Sequence, residues 1–292
     1  MTGSRILAQI FCITIATCLL SSGTGAVSAQ EPPAEARLGL SVRDERALIG
    51  APVFLTVRLR NQGAMRQARQ AAALRRAEGA SADSEDNEAA PTIAEPVTQT
   101  LAVSGDWRER ITFEIDNGVA MDALEPALLT TAEHTPAELG LVPLQATWAI
   151  PPTQTGSMAA GTYTVTARLD PVSLFPGMDF PPDRTEPTAT AVLSLEAAAD
   201  SESQAILEET TALYYMQTED YSSALARALE AIRLDRQRYY AYGYAAQCEL
   251  ALGDTGEAIR RLESLLDVMP PTQDGGEYTV AAQAWLDELT QR

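Results

Sequence analysis

The stretch from Ile206 to Pro270 constrains the fold of this chain more than any other. Ala224-Leu225 recurs as Ala258-Ile259, 34 residues further on. At the same spacing Asp220 recurs as Asp254 and Ala212 as Ala246. Ala231, Ile232 and Leu234 are matched by Leu265, Leu266 and Val268. Each Asp stands before an amphipathic stretch, where its side chain can accept a hydrogen bond from an orphan backbone N–H at a helix start. Gly253 precedes Asp254, and glycine ends helices at little cost by adopting left-handed angles. A repeated unit of this length, with small residues at its paired positions, folds as two antiparallel helices. Neighbouring units then stack to bury a common face.

These residues resemble the tetratricopeptide repeat. Tyr242 stands where a bulky residue opens the repeat's first helix, and Pro270 stands where its terminal proline belongs. Glu208 and Arg236 occupy those places in the earlier copy, which makes it the degenerate one. An ordinary pair of helical hairpins without repeat ancestry is the plainer alternative. Gly276 to Gln291 follows with Val280, Ala284, Trp285, Leu286 and Leu289 along one side, as a terminal helix that caps the stack would have them.

The resemblance implies a protein or peptide partner, held on the inward side of the first helices. Glu209, Leu213, Met216, Tyr240 and Gln247 map to that side. Tyrosine suits such a place because it combines apolar area with a hydroxyl. Tyr215, Tyr221 and Tyr242 map instead to packing positions between helices. The alternative for the inward face is that it packs against the rest of the chain. The Lys- and Asn-lined clamp some members of the family use for C-terminal carboxylates is not recognisable, and the chain contains no lysine.

Upstream the hydrophobic period is two rather than 3.6. Leu38, Leu40 and Val42 alternate, then Val53, Leu55, Val57 and Leu59, with Gly50-Ala51-Pro52 as the turn between them. Further strands are expected at Val97–Val103 and Arg110–Ile115, with Ser104-Gly105-Asp106 as a hairpin turn. Others are expected at Pro143–Ile150, Gly161–Leu169 and Thr188–Leu195, with a short helix around Met121–Leu129. The Gly-Ala-Pro turn, the strand ending Arg-Asn-Gln-Gly and the Ala-Gly-Thr-Tyr-Thr-Val phrase resemble bacterial immunoglobulin-like domains. About seven strands satisfy such a sandwich. Ala64–Pro96 interrupts the pattern as an insertion. Its Arg-rich first part reads as a helix, and the whole reads as a solvated excursion rather than an anionic-surface anchor.

The 292 residues carry 21 basic and 40 acidic side chains, for a net charge of −19. That balance argues against a nucleic-acid partner, which needs clustered positive charge. Arg5, the apolar run Ile6–Leu20 and the small residues Val27-Ser28-Ala29 read as a signal peptide over residues 1–29, cleaved before Gln30. The run is too short for a firm membrane span. Removal of Cys12 and Cys18 leaves Cys248 alone, a thiol expected to be buried and inert.

No chemistry emerges. His134 is the sole histidine, and with one remaining cysteine it cannot build an ordinary zinc site. There is no G-x-S-x-G elbow, Walker loop or dinucleotide fingerprint. Asp116-Asn117-Gly118 reads as a tight turn rather than a calcium loop. The expectation is therefore a multidomain α and β protein without cofactor or metal. An immunoglobulin-like antiparallel β-sandwich spans 30–196, with a flexible insertion at 64–96. A linker spans 197–203, and an all-α tetratricopeptide-type helical hairpin domain with a capping helix spans 204–292. The function expected is a non-catalytic, protein-binding adaptor or scaffold, periplasmic or secreted from a bacterium, without stable membrane insertion once the signal is removed. A carbohydrate- or envelope-binding β-sandwich with structural helices is the second reading. Its cue would be an exposed Trp107, whereas Trp148 is expected in the core. A hydrolase is third.

Overall fold

Alternation of apolar residues puts three strands at the start of the described residues: β1 (Ala36–Val42), β2 (Arg46–Leu48) and β3 (Val53–Asn61). The computed structural model describes residues 36–81, 100–118, 121–129, 138–175, 187–269 and 273–291. The expected signal peptide, the leader before Ala36, residues 82–96 of the insertion, the first three residues of the strand expected at Val97–Val103, His134 and Pro270 lie outside them. After β3 the chain forms α1 (Gln62–Ser81), the Ala- and Arg-rich helix expected there. Asn61 starts it: its side-chain oxygen accepts from the Ala64 N–H at 3.0 Å, and its amide donates to the Leu139 carbonyl at 3.1 Å.

The next strands are β4 (Leu101–Ala102), β5 (Ile111–Asp116), β6 (Met121–Leu124), β7 (Ala127–Leu128), β8 (Glu138–Leu139) and β9 (Leu144–Ile150). A single helical turn, α2 (Pro152–Thr155), leads to β10 (Gly161–Leu169). A second turn, α3 (Pro171–Leu174), precedes β11 (Thr188–Glu196). One sheet has the order β1-β3-β9-β7 and another β2-β11-β10-β5-β6, while β4 and β8 pair separately. Every pairing is antiparallel except β2 with β11.

The two large sheets share one core. Leu55, Val57 and Leu59 come from one; Phe113, Val165, Leu169 and Leu193 come from the other. Trp148 stands between them, with Trp107 edge-on at 6.0 Å and Phe113 at 5.3 Å. Such edge-to-face geometry suits the ring quadrupoles.

Two expectations fail here for physical reasons. The segment 104–106 is not the turn of a hairpin, because β4 pairs with β8 instead of β5. The chain dips inward to bury Trp107, in a 3-10 turn that starts when Asp106 accepts the Arg108 N–H at 2.9 Å. Met121–Leu129 is not a helix but the two short strands β6 and β7. Pro126 disfavours helical angles before it and removes a donor. The open edges of β5 and β9 supply ladder partners instead.

The helical part follows as α4 (Ser201–Gln217), α5 (Tyr221–Leu234), α6 (Tyr239–Ala251), α7 (Thr255–Val268) and α8 (Gln273–Thr290). A capping box between Asp200 and Ser203 starts α4 within the stretch read as a linker. The 34-residue repeat extends to individual hydrogen bonds. Asp220 N–H donates to Tyr215 O and Asp254 N–H to Glu249 O; Asp235 N–H donates to Ala231 O and Met269 N–H to Leu265 O. Asp220 and Asp254 cap α5 and α7 through the amides of Ser223 and Glu257. Ala212, Ala224, Ala246 and Ala258 are all fully buried. The helical part is thus two tetratricopeptide-like hairpins plus α8, whose Ala282 and Leu289 join the core of the second hairpin. Cys248 is buried, and desolvation pushes its thiol up to about 11. Among the described residues no helix is long and apolar enough to cross a membrane.

The repeat carries one point of backbone strain. Gly253 ends α6 with φ +89°, and the residue at its place in the first copy is Glu219, at φ +63°. A non-glycine residue in the left-handed region costs roughly 1–2 kcal/mol, against roughly 0.5–1 kcal/mol for glycine's extra chain entropy. Glu219→Gly should therefore raise the unfolding free energy by up to about 1 kcal/mol, and Gly253→Ala should lower it by about 1 kcal/mol, both read from urea titration.

Glu249 gives a pH dependence. Burial pushes its carboxyl above the usual range although Arg261 donates to it at 3.1 Å, and its second oxygen has no partner among the described residues. A carboxyl raised in the folded state favours folding below its unfolded pKa, and that contribution is lost as pH rises through the folded value. Glu249→Gln should therefore match the wild type near pH 4 and gain stability over it progressively toward neutral pH, measured as melting temperature against pH.

Candidate functional site

Helix α4 places Ile206, Glu209, Thr210 and Leu213 on one face, because residues three and four apart are neighbours on a helix. Helix α6 places Tyr240 and Tyr244 one turn apart, with Arg238 just before its start. These side chains line a cleft of about 390 Å³ whose other wall belongs to the β part. Arg43, Asp44, Arg46 and Phe54 contribute to that wall, from the turn after β1, the start of β2 and the first residues of β3. Gly50 stands beside the Leu207 side chain, and its φ of +84° is the left-handed turn that glycine favours.

An ion pair organises the floor. Arg238 donates to both oxygens of Glu209, at 3.0 and 2.6 Å, the two-point geometry in which guanidinium and carboxylate bind best. Glu209 is buried, and its bond holds the Arg238 guanidinium above its ordinary pKa. Above the floor the surface is aromatic and apolar. Tyr240 is 42% exposed and Ile206 is 36% exposed, large areas for side chains of their kind. The Tyr240 ring lies 4.3 Å from that of Tyr239, whose hydroxyl is pushed up to about 12 mainly by its hydrogen bond with Tyr240. On the opposite wall the Arg43 guanidinium sits 5.7 Å from the Phe54 ring centre, within cation–π range.

Of the five residues expected on the inward face, three line this cleft: Glu209, Leu213 and Tyr240. They do so in different roles. Tyr240 is open to a ligand, Leu213 is half-buried, and Glu209 is occupied in holding α6 to α4. Met216 and Gln247 lie one turn beyond Leu213 and Tyr244 and are not among its lining. Sequence reasoning missed Ile206, Thr210 and Tyr244, although helical spacing from Leu213 and Tyr240 reaches them. The β wall gave no signal, because nothing local in Arg43–Phe54 says that a helix will face it. Trp107, whose exposure would have favoured a carbohydrate platform, is only 3% exposed. Among the described residues no three His, Cys, Asp or Glu side chains could hold a metal together.

No protein-family model matches this sequence, and no curated protein matches it. Among solved structures it is similar to the first TPR of Spaghetti (RPAP3) bound to the HSP90 peptide SRMEEVD. That match has 20% identity over 29% of this chain and 68% of that chain, with a TM-score of 0.24. It is also similar to the second TPR domain of human RPAP3 in complex with the HSP70 peptide SGPTIEEVD, at 22% identity over 27% of this chain and 67% of that chain, again at 0.24.

The ion pair predicts that Glu209 is not a ligand contact that can be removed freely. Glu209→Ala strands Arg238 in a partly buried place, at a cost between those of exposed and fully buried pairs, about 2 kcal/mol. The melting temperature should fall by several degrees whether or not a ligand is present, at about 2–4 °C per kcal/mol for a compact unit of this size.

Proposed function

We propose that this chain is an exported, non-catalytic adaptor that holds a peptide segment of a protein partner in the cleft between its β part and its first helices. One observation carries the reading: the exposure of Tyr240, with Ile206, inside a concave site. Its 390 Å³ falls within the roughly 300–1,000 Å³ usual for ligand clefts. A tyrosine in such a place offers a rigid anchor at small entropic cost. Thr210 is less available for recognition, since its hydroxyl already donates to the Ile206 carbonyl at 2.7 Å.

In this reading the β part is an immunoglobulin-like sandwich that forms half of the binding site, joined to the repeats near Ala197. Two features support that assignment. The Tyr163 hydroxyl donates to the Ala159 carbonyl at 2.8 Å, at the start of β10, as a tyrosine corner does. β2 leaves the company of β1 to run parallel to β11, linking the opening segment of the chain to both sheets. Export rests on Arg5, Ile6–Leu20 and the small residues before Gln30, and N-terminal sequencing of the mature protein should begin at or near Gln30. A non-catalytic role rests on the lack of any nucleophile, phosphate or dinucleotide motif in the sequence.

The test is Tyr240→Ala. Truncating a true anchor costs about 2 kcal/mol of binding, roughly thirtyfold in affinity. Surface changes away from core features move stability by only about 0.5 kcal/mol. Capture of a periplasmic partner, identified by mass spectrometry and then titrated as a purified protein, should weaken roughly thirtyfold while the melting temperature stays put. A variant that unfolds would show instead that this face is core.

A further inference from the structure

The outer face of the sheet that begins with β1 holds a second depression, away from the cleft. It measures about 340 Å³ and is lined by Arg37, Gly39, Ser41, Arg58, Arg60 and Gln62, with no Asp or Glu. In a chain with 40 acidic and 21 basic residues, a rim with three arginines and no carboxylate is against the average. The ladder places Arg37 directly opposite Arg60, and Gly39 directly opposite Arg58. Like charges facing one another across an antiparallel pair destabilise it. Neither Arg37 nor Arg60 has an ion-pair partner among the described residues. Arg58 is oriented by its Nε, which donates to Gln145 Oε1 at 2.8 Å. Gly39 weakens the strand and leaves the space that the three guanidinium groups surround, as glycine in a strand does where something approaches closely. Gln62 begins the 20-residue helix α1, whose first turn adds a positive end to the rim.

The geometry points to a binding site for a phosphate group, seated over Gly39 and held by Arg37, Arg58 and Arg60. A single carboxylate carries one charge and is satisfied by one guanidinium fork. A phosphate carries up to two charges and several acceptor oxygens, and it can take forks from more than one arginine. The phosphate could belong to a soluble ester or to a lipid headgroup, and the site recognises the chemistry they share. It is separate from the cleft and does not depend on the peptide reading.

The test uses the full chain at low salt, with inorganic pyrophosphate as probe in isothermal titration calorimetry. Saturable binding is expected. Arg37→Ala and Arg60→Ala should each weaken it about tenfold, the loss usual for a charge-assisted hydrogen bond. Gly39→Val should abolish it while every charge remains. The backbone there tolerates a side chain, since the nearest atom to an added Cβ is the Arg58 carbonyl at 3.8 Å. Its melting temperature without ligand should equal or exceed that of the wild type. Gly39→Ala is the milder variant should valine impair folding, and it should weaken binding in the same direction. Co-sedimentation with phosphatidylglycerol vesicles distinguishes the sources: binding that falls with the same variants places the phosphate on a lipid, and its absence beside pyrophosphate binding places it on a soluble ligand. No saturable pyrophosphate binding would overturn the proposal, and so would binding indifferent to filling the Gly39 space, which indicates diffuse charge only. Preference for a poly-glutamate peptide over pyrophosphate would also overturn it, assigning the face to an acidic protein.

Discussion

The ion pair between Glu209 and Arg238 ties the two repeat units to one another. Arg238 occupies the N-cap of α6 and makes no capping hydrogen bond there. A cation is also badly placed at the positive end of a helix dipole. Glu209 of α4 offsets the second defect by bringing a carboxylate to that end and accepting two bonds from the arginine. The start of α6 is thereby tied to the middle of α4, and the inward faces of the two first helices become one surface. Ile206 and Leu213 flank the pair on one helix; Tyr240 and Tyr244 lie beyond it on the other. A wall built this way is rigid at its base and apolar above, as an anchor site should be.

The helical part was legible because its information is local and repeated. Asp220 and Asp254, Gly253 and the paired alanines each report one constraint on their own element, and the 34-residue spacing aligns them. Glu219 shows the limit of that legibility, since the backbone keeps the repeat's left-handed turn where the residue that favours it has been lost. The strands were legible wherever alternation continued for several residues, as in Val53–Asn61 and Gly161–Leu169. Two-residue strands such as β4 and β8 leave no period to read. Their partners lie far along the chain, so pairing Leu101 with Leu139 is invisible locally. The cleft divides the same way: helical spacing reaches one wall, while the wall that carries Arg43 and Phe54 exists only through tertiary contact.

Trp107 illustrates how a local rule misleads. Its neighbours Ser104, Gly105 and Asp106 all favour a turn, and turns usually face water. The turn is real, since Gly105 has φ +73° and Asp106 caps the short helix after it. The direction of the tryptophan is decided instead by Trp148 and Phe113 across the core. Burying an indole beside two other rings gains more than an exposed turn residue can, so the chain bends inward there. With that ring committed, the β part keeps no large aromatic platform among its described tryptophans.

That charge is sorted along the chain. In the helical part Arg227, Arg233, Arg238, Arg260 and Arg261 all pair with glutamates, so the basic residues there neutralise a mainly acidic surface. In the repeat these pairs are improvised: Arg227 and Arg261 occupy equivalent positions, yet one bonds Glu208 and the other Glu249. Tyr242 stands at the place of Glu208 in the second copy and Tyr215 at the place of Glu249 in the first, so each arginine takes the carboxylate its own copy supplies. The β part is divided: Arg108 and Arg168 pair with Asp106 and Glu114, while others do not among the described residues. Arg37, Arg43, Arg46, Arg58 and Arg60 gather between Ala36 and Asn61, and they line the cleft wall or the Gly39 depression. Exposed pairs add little stability, so the glutamate pairing in the helices is explained better by what it removes, which is attraction for anions. Arg37 and Arg60, which have no ion-pair partner among the described residues, keep that attraction.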